Sequence, residues 1–167
     1  RERVALWRKG NYPGITNVTR KLLEYWTDPD REKRPFFCQV EALETAIYLT
    51  EAASHYGDGW IENQLRDANK EANSTLYRIA FKMATGSGKT LVMGMLIAWQ
   101  TLNKLATPQD ARFSDTFLIV TPGITAPETS VGCRKVRLPV TRWGSGMPLP
   151  RSRPGVPMGW TVSDSPS

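Results

Sequence analysis

The chain lacks the features that would place it in a membrane or in an oxidising compartment. None of its 167 residues belongs to a run of about 18 consecutive apolar residues, the length that a transmembrane helix requires. The charged start, Arg1 to Val4, has no apolar core of the kind found in signal peptides. Only two cysteines, Cys38 and Cys133, are present, and they form no C-x-x-C pair. We therefore expect reduced thiols in a cytoplasmic protein with no membrane partner.

The composition is that of one ordinary globular domain, with 40% hydrophobic and 23% charged residues. The net charge of +6 would suit a nucleic-acid-binding protein. However, residues 123–167 carry six Lys and Arg against two acidic residues, so most of the excess lies in that segment. The basic balance is therefore weak evidence for a DNA-binding face.

The character of the sequence changes after Pro122. Residues 123–167 contain seven of the 12 prolines and six of the 13 glycines, and no helical or strand periodicity persists there. A segment of this kind buries too little apolar surface to offset the entropy lost on ordering. We expect residues 126–167 to be a disordered tail.

Three helices are predicted before the middle of the chain. In residues 1–34, an irregular or short-helical lead-in, Thr16 or Asn17 caps a helix that ends near Trp26. A second helix runs from Gln39 to about His55, and a polar one covers 60–75. The second has an apolar stripe at Val40, Leu43, Ile47 and Thr50, and its carboxylates lie away from the stripe at Glu41, Glu44 and Glu51.

The next elements alternate in type. Tyr77 to Met83 alternates apolar and polar residues as a strand does, and Ala84 to Gly88 forms a tight loop. Lys89 to Leu105 is apolar nearly all round, which predicts a buried helix, and Thr116 to Thr121 is typical of a buried parallel strand. This βαβ order predicts an α/β fold with a parallel sheet.

The loop between the first of these strands and its helix has phosphate-binding chemistry. Small residues let backbone amides curl around a phosphate, and the helix that follows adds partial positive charge. A lysine there reaches the β- and γ-phosphates, and the next hydroxyl, that of Thr90, ligates Mg²⁺. Met83 replaces the first glycine of the general P-loop pattern. The predicted nucleotide-binding residues are Thr85, Gly86, Ser87, Gly88, Lys89 and Thr90.

Three segments together resemble the DEAD/DEAH-box, or superfamily-two, helicases, and in particular the restriction (Res) subunit of type III restriction enzymes. Residues 83–90 (MATGSGKT) resemble motif I, residues 34–45 (RPFFCQVEALET) resemble the Q-motif region, and residues 117–125 (FLIVTPGIT) resemble motif Ia. The resemblance implies an incomplete RecA-like P-loop domain at 35–125 that follows the helical lead-in at 1–34.

The resemblance also implies ligands and partners. Gln39 matches the glutamine that reads the adenine edge, which favours ATP, with Mg²⁺, over GTP. The strand end at Thr121, Pro122 and Gly123 matches the segment that touches the DNA backbone. A methyltransferase or specificity subunit accompanies such enzymes. We take Phe36 and Phe37 as core residues and do not assign them to the site.

The resemblance stops after residue 125. Pro127 is unsuited to the charged helix that continues motif Ia, and the chain has no Asp-Glu dipeptide for motif II. A second RecA-like domain and a nuclease motif are absent, and we expect the only histidine, His55, at the surface. We expect a truncated ATP-binding part of a helicase or translocase, inactive in isolation, with 126–167 as an out-of-frame tail. The alternatives are a non-catalytic remnant and another P-loop NTPase class.

Overall fold

A computed structural model describes residues 1–72, 79–122 and 131–137 of the chain. The helical elements come first and the two strands last. They are α1 (Glu2–Lys9), α2 (Asn17–Thr27), α3 (Phe37–Ile47), a π-helical turn (Tyr48–Ala52), a 3₁₀ turn (Ala53–Tyr56), α4 (Gly59–Ala72), α5 (Lys89–Ala106), β1 (Thr116–Pro122) and β2 (Val131–Arg137).

Helix α2 has the start and the buried face that its sequence predicts. Thr16 has an extended backbone, and its hydroxyl accepts a hydrogen bond from the amide of Thr19, so it is the N-cap. Leu22, Leu23 and Trp26 are buried on one face. The helical periodicity of the lead-in is thereby confirmed.

The second predicted helix is a continuous helical run from α3 through the π and 3₁₀ turns to Tyr56. Gly57 ends it in the left-handed region, with φ of 71°. The prediction for two of its carboxylates was wrong, because Glu44 is 0% and Glu51 1% exposed. Both are buried because side chains from the lead-in, together with Trp99 in the case of Glu51, supply hydrogen bonds to them.

The hydrophobic core joins the lead-in to the elements that follow it. Helix α5 packs on both α2 and α3. Trp7 of α1 contacts Tyr48 edge-to-face, and Trp99 of α5 contacts Phe113 in the same way. The buried members of the core are Val4, Trp7, Leu22, Leu23, Trp26, Leu43, Ala46, Ile47, Tyr48, Ala52, Ala53, Met95, Trp99 and Phe113.

Helix α5 is buried on one face only, so the prediction of burial all round was wrong. Val92, Met95 and Trp99 face the core. Leu91 and Met93 are 47% and 41% exposed. Leu91 and Met93 were predicted to be buried because they are apolar, but the described residues pack only against the opposite side of the helix.

The sheet also differs from its prediction. Residues 79–83 form no strand, and Tyr77 lies outside the described residues. Strand β1 is present as predicted, but it pairs antiparallel with β2, with Thr116 opposite Arg137. Within the described residues the sheet is therefore antiparallel, not parallel. The strand at 131–137 also contradicts disorder for that part of the predicted tail, and the rest of 126–167 lies outside the described residues.

Among the described residues, none of the helices combines the length and the apolar character needed to cross a bilayer.

Candidate nucleotide-binding site

The loop that precedes α5 is a tight turn held by one carbonyl. The backbone amide of Ser87 donates to the Ala84 carbonyl oxygen at 3.3 Å, and the Ser87 hydroxyl donates to the same oxygen at 2.7 Å. Gly86 and Gly88 adopt φ of 77° and 75°, in the left-handed region. Glycine occupies that region without a steric penalty, so the sequence explains how the loop curls.

Lys89 folds back onto the same turn. Its Nζ donates to the Ala84 carbonyl oxygen at 2.9 Å. Three donors therefore converge on one acceptor. A phosphate oxygen carries more negative charge than a carbonyl oxygen, so it would compete well for the ammonium of this exposed lysine.

Helix α5 begins directly at the end of this loop. Gly88 is its N-cap, and the amides of Leu91 and Val92 donate to the Gly88 carbonyl oxygen. The first turn of a helix has amides without intrahelical acceptors and a partial positive charge. Thr90 lies in that turn with an exposed side chain. The arrangement gives a phosphate both the amides and the positive end of the helix.

Gln39 lies against the loop although 48 residues separate it from Ser87. Its Nε2 donates to the Ser87 carbonyl oxygen at 2.7 Å, and its Oε1 accepts from the Phe36 amide at 2.8 Å. The side chain is at the third position of α3, and the residue is only 3% exposed. A Cβ atom added to Gly88 would collide with Nε2 of Gln39. The positive φ therefore favours glycine at position 88, and a side chain there would also displace the Gln39 amide from its contact with the loop.

Two aromatic residues lie exposed beside Gln39. Phe36 is 66% and Phe37 64% exposed, so the interpretation of both as core residues was wrong. The guanidinium of Arg8 lies over the Phe37 ring, 5.4 Å from its centroid. Cys38, between Phe37 and Gln39, is a free and exposed cysteine.

Sequence reasoning did not find Arg8 as a neighbour of this site. Its Nε donates to Oε1 of Glu44 at 2.8 Å, and its Nη2 donates to Oε2. The hydroxyl of Tyr12 donates to the same carboxylate at 2.7 Å. The hydrogen bond to Glu44 raises the pKa of Arg8, and burial together with this carboxylate raises the pKa of Tyr12. No pattern in the sequence pairs residues 8 and 44.

Two of the three residues of the predicted DNA-contact segment, Thr121 and Pro122, lie at the end of β1. Thr121 pairs with Gly132 and Pro122 with Val131 on the neighbouring strand. Gly123 lies outside the described residues.

No group of three or more His, Cys, Asp or Glu residues that could hold a metal ion occurs in the described part of the chain. The only metal-ligating group that the sequence predicts is the Thr90 hydroxyl.

A glycine-rich loop that ends in Lys-Thr and opens a helix is the hallmark of P-loop nucleotide-binding proteins. A family model, "Type III restriction enzyme, res subunit", matches residues 32–128, more than half of the chain. The chain belongs to this family, whose domain is superfamily-two helicase-like and implies a RecA-like P-loop fold. No curated protein and no solved structure matches the chain significantly.

At the family level, membership indicates helicase-like ATP binding, the use of ATP and Mg²⁺, and interaction with DNA. The suspected resemblance to the res subunit is thus confirmed. The individual site residues stay predictions, and their geometry supports the proposal that follows.

Proposed function

We propose that this chain binds Mg²⁺-ATP at the loop 84–90 and forms the ATP-binding part of a DNA helicase or translocase similar to the type III res subunit. The single observation that carries the proposal is the contact between Gln39 and Ser87. It joins a candidate base-reading residue to a candidate phosphate loop across 48 residues of chain, which neither motif requires by itself.

The residues of the loop fit a bound triphosphate. A Cβ at Gly86 would meet no atom of the described residues within 4 Å, so the loop is open at this point. Lys89 and Thr90 are exposed on the same turn. In the bound state Lys89 would leave the Ala84 carbonyl for the phosphates, and Thr90 would offer its hydroxyl to Mg²⁺. The metal supplies charge neutralisation, and the loop supplies amides and a cation.

Gln39 retains the capacity to read a base. An amide group has two N–H donors and two acceptor lone pairs, and the contacts to Ser87 and Phe36 occupy one of each. The second donor and the second lone pair can serve the N7 and the 6-amino group of adenine. Guanine presents an acceptor in place of that amino group, so ATP is favoured over GTP.

The DNA contact is assigned to the end of β1. The backbone amides of Thr121 and Gly123 and the Thr121 hydroxyl would donate to phosphate oxygens, whereas Pro122 has no amide hydrogen. Such contacts position a strand without reading its sequence. Family membership, with its indication of DNA interaction, supports this assignment. A methyltransferase or specificity subunit would be a partner of an enzyme of this type.

The Lys89→Ala variant tests the proposal. The substitution removes a charged hydrogen-bond donor, so the affinity for Mg²⁺-ATP should fall at least about tenfold. Isothermal titration calorimetry of the wild type and the variant measures this ratio. Lys82→Ala, which removes an exposed lysine shortly before the loop, is the matched control and should bind as the wild type does. Equal affinity of the Lys89 variant and the wild type would place the nucleotide elsewhere.

A further inference from the structure

Arg8 holds helix α3 at two points. Its guanidinium donates to the Glu44 carboxylate through two nitrogens and lies over the exposed ring of Phe37, 5.4 Å from the ring centroid. Phe37 and Glu44 are seven residues apart, which is about two helical turns, so both lie on one face of α3. Gln39 lies on the helix between these two points.

Glu44 depends on the lead-in for its charge balance. The carboxylate is 0% exposed, and its hydrogen bonds come from Arg8 and Tyr12. A buried carboxylate without its cation would be strongly unfavourable. Arg8 therefore restricts both the sliding of α3 along its axis and its rotation about that axis.

The position of α3 determines where the Gln39 amide lies. Gln39 is buried, and hydrogen bonds from the Phe36 amide to its Oε1 and from its Nε2 to the Ser87 carbonyl oxygen fix the orientation of its side-chain amide. A small shift of the first turns of α3 would move the remaining donor and lone pair away from a base. Displacements of about 1 Å are enough to remove the benefit of a positioned group.

We propose that Arg8 is a positioning residue for base recognition, acting through Glu44 and Phe37 on Gln39. The inference rests on the proposed function, in which Gln39 reads the base and the loop 84–90 holds the phosphates. It assigns base specificity in part to residues 1–31, which precede the segment that the family model matches.

Lysine cannot replace this arginine. A planar guanidinium makes two parallel hydrogen bonds and stacks on a ring at the same time, whereas an ammonium is a point charge with no flat face. Arg8→Lys keeps the charge beside Glu44 and loses both geometric constraints. The effect of Arg8→Lys on nucleotide affinity therefore distinguishes a role of Arg8 in positioning α3 from a role in neutralising the charge of Glu44.

The experiment measures the affinities of the full chain for Mg²⁺-ATP, Mg²⁺-GTP and inorganic tripolyphosphate by calorimetry. The wild type should prefer ATP. In Arg8→Lys the ATP affinity should fall about tenfold and the ATP-to-GTP ratio should approach one, while the tripolyphosphate affinity stays unchanged. Arg66→Lys is the matched control, because Arg66 also donates through two nitrogens to a glutamate, Glu62, on α4. The control should keep the wild-type ratio.

A second variant covers the case in which Arg8→Lys fails to fold, which a thermal melt reveals. Glu44→Gln keeps the shape of the side chain and the Tyr12 contact but loses the charge that orients Arg8, and it should change the ratio in the same direction. An unchanged ratio in a folded variant, or equal losses for ATP and tripolyphosphate, would contradict the assignment alone. A wild type that binds neither ATP nor tripolyphosphate would contradict the proposed function and the assignment with it.

Discussion

At the scale of single residues, Asp58 shows how a buried carboxylate is kept charged. Asp58 follows the left-handed Gly57, and its carboxylate accepts hydrogen bonds from the Tyr48 hydroxyl and from Arg3. These two bonds hold its pKa below the ordinary value of 3.8. Burial and the bond to Asp58 raise the pKa of Tyr48 to about 12. The cluster joins α1 to the turn before α4.

The Asp58→Asn variant tests this cluster through its pH dependence. Because the pKa of Asp58 is lower in the folded state than in the unfolded state, its ionised carboxylate stabilises the fold at every pH above the unfolded-state pKa. This stabilisation is lost as the pH falls through the folded-state pKa. The variant should therefore have a lower Tm than the wild type at neutral pH, and the difference should shrink as the pH falls below about 3.8. Circular dichroism melts across this range measure the difference.

Asp67→Asn is the control for this comparison. Asp67 pairs with Lys70 on the surface of α4, where both side chains are largely exposed, so its removal should change Tm little at any pH. A Tm difference for Asp58→Asn that does not vary with pH would show that the carboxylate stabilises the fold by shape and not by charge.

At the scale of elements, a buried polar network joins the P-loop helix to the lead-in. The Trp99 indole donates to Oε1 of Glu51 at 2.8 Å, and the Thr19 hydroxyl donates to the same oxygen at 2.7 Å. The backbone amide of Thr16 donates to Oε2 of Glu51 at 2.8 Å. The side-chain amide of Asn103 donates to the Thr19 hydroxyl at 2.9 Å. The π turn places Glu51 towards α5, and such turns often accompany functional sites.

Trp99→Phe tests this network. The variant keeps an aromatic ring but removes the indole donor to a charged acceptor, which should lower the free energy of unfolding by about 2 kcal/mol beyond the loss of volume. Trp26→Phe measures the loss of volume, because Trp26 is also buried in the core but is not part of the network. Urea denaturation of both variants gives the difference. Equal losses would mean that the hydrogen bond to Glu51 contributes nothing.

Local signals in the sequence predicted the elements better than their partners. The cap at Thr16 and the end of the second helix near His55 depend on single residues and their near neighbours, so both were predictable. The burial of Glu44 depends on a guanidinium 36 residues away, and that of Glu51 on an indole 48 residues away. The sequence of a helix does not show which distant residues will contact it. A carboxylate in a helix is therefore predicted to face solvent unless its hydrogen-bond partner is known.

The same reasoning applies to the site. The loop from Thr85 to Thr90 is local, and the left-handed glycines follow from its sequence. The resemblance to a family placed Gln39 in the same nucleotide site as the loop, but nothing in the sequence predicted its hydrogen bond to Ser87. No sequence pattern predicted the contacts of Arg8, because they depend on how α1 lies against α3 in the folded chain. The antiparallel partner of β1 was not predicted, because an apolar run does not specify the direction of the neighbouring strand.

At the scale of the whole molecule, the lead-in and the family segment form one structure. The family model begins at residue 32, yet Glu44 and Glu51 within it are held by Arg8, Tyr12, Thr16 and Thr19 before it. Ordering these contacts takes conformational entropy from both segments, and the shared core offsets that loss. The first 31 residues thus supply hydrogen-bond partners and core side chains to the segment that the family model matches.

The last prediction concerns turnover by the whole chain. The 167 residues contain no Asp-Glu dipeptide, the pair that in superfamily-two helicases holds Mg²⁺ and positions the attacking water. Each missing group that stabilises charge in the transition state costs about 10²–10³ in rate. We expect the purified chain to bind Mg²⁺-ATP but to release no phosphate above background, with or without DNA. A phosphate-release assay, run on a sample whose ATP binding calorimetry has verified, measures this. DNA-stimulated hydrolysis that Lys89→Ala abolishes would show that other residues of this chain replace the missing carboxylates.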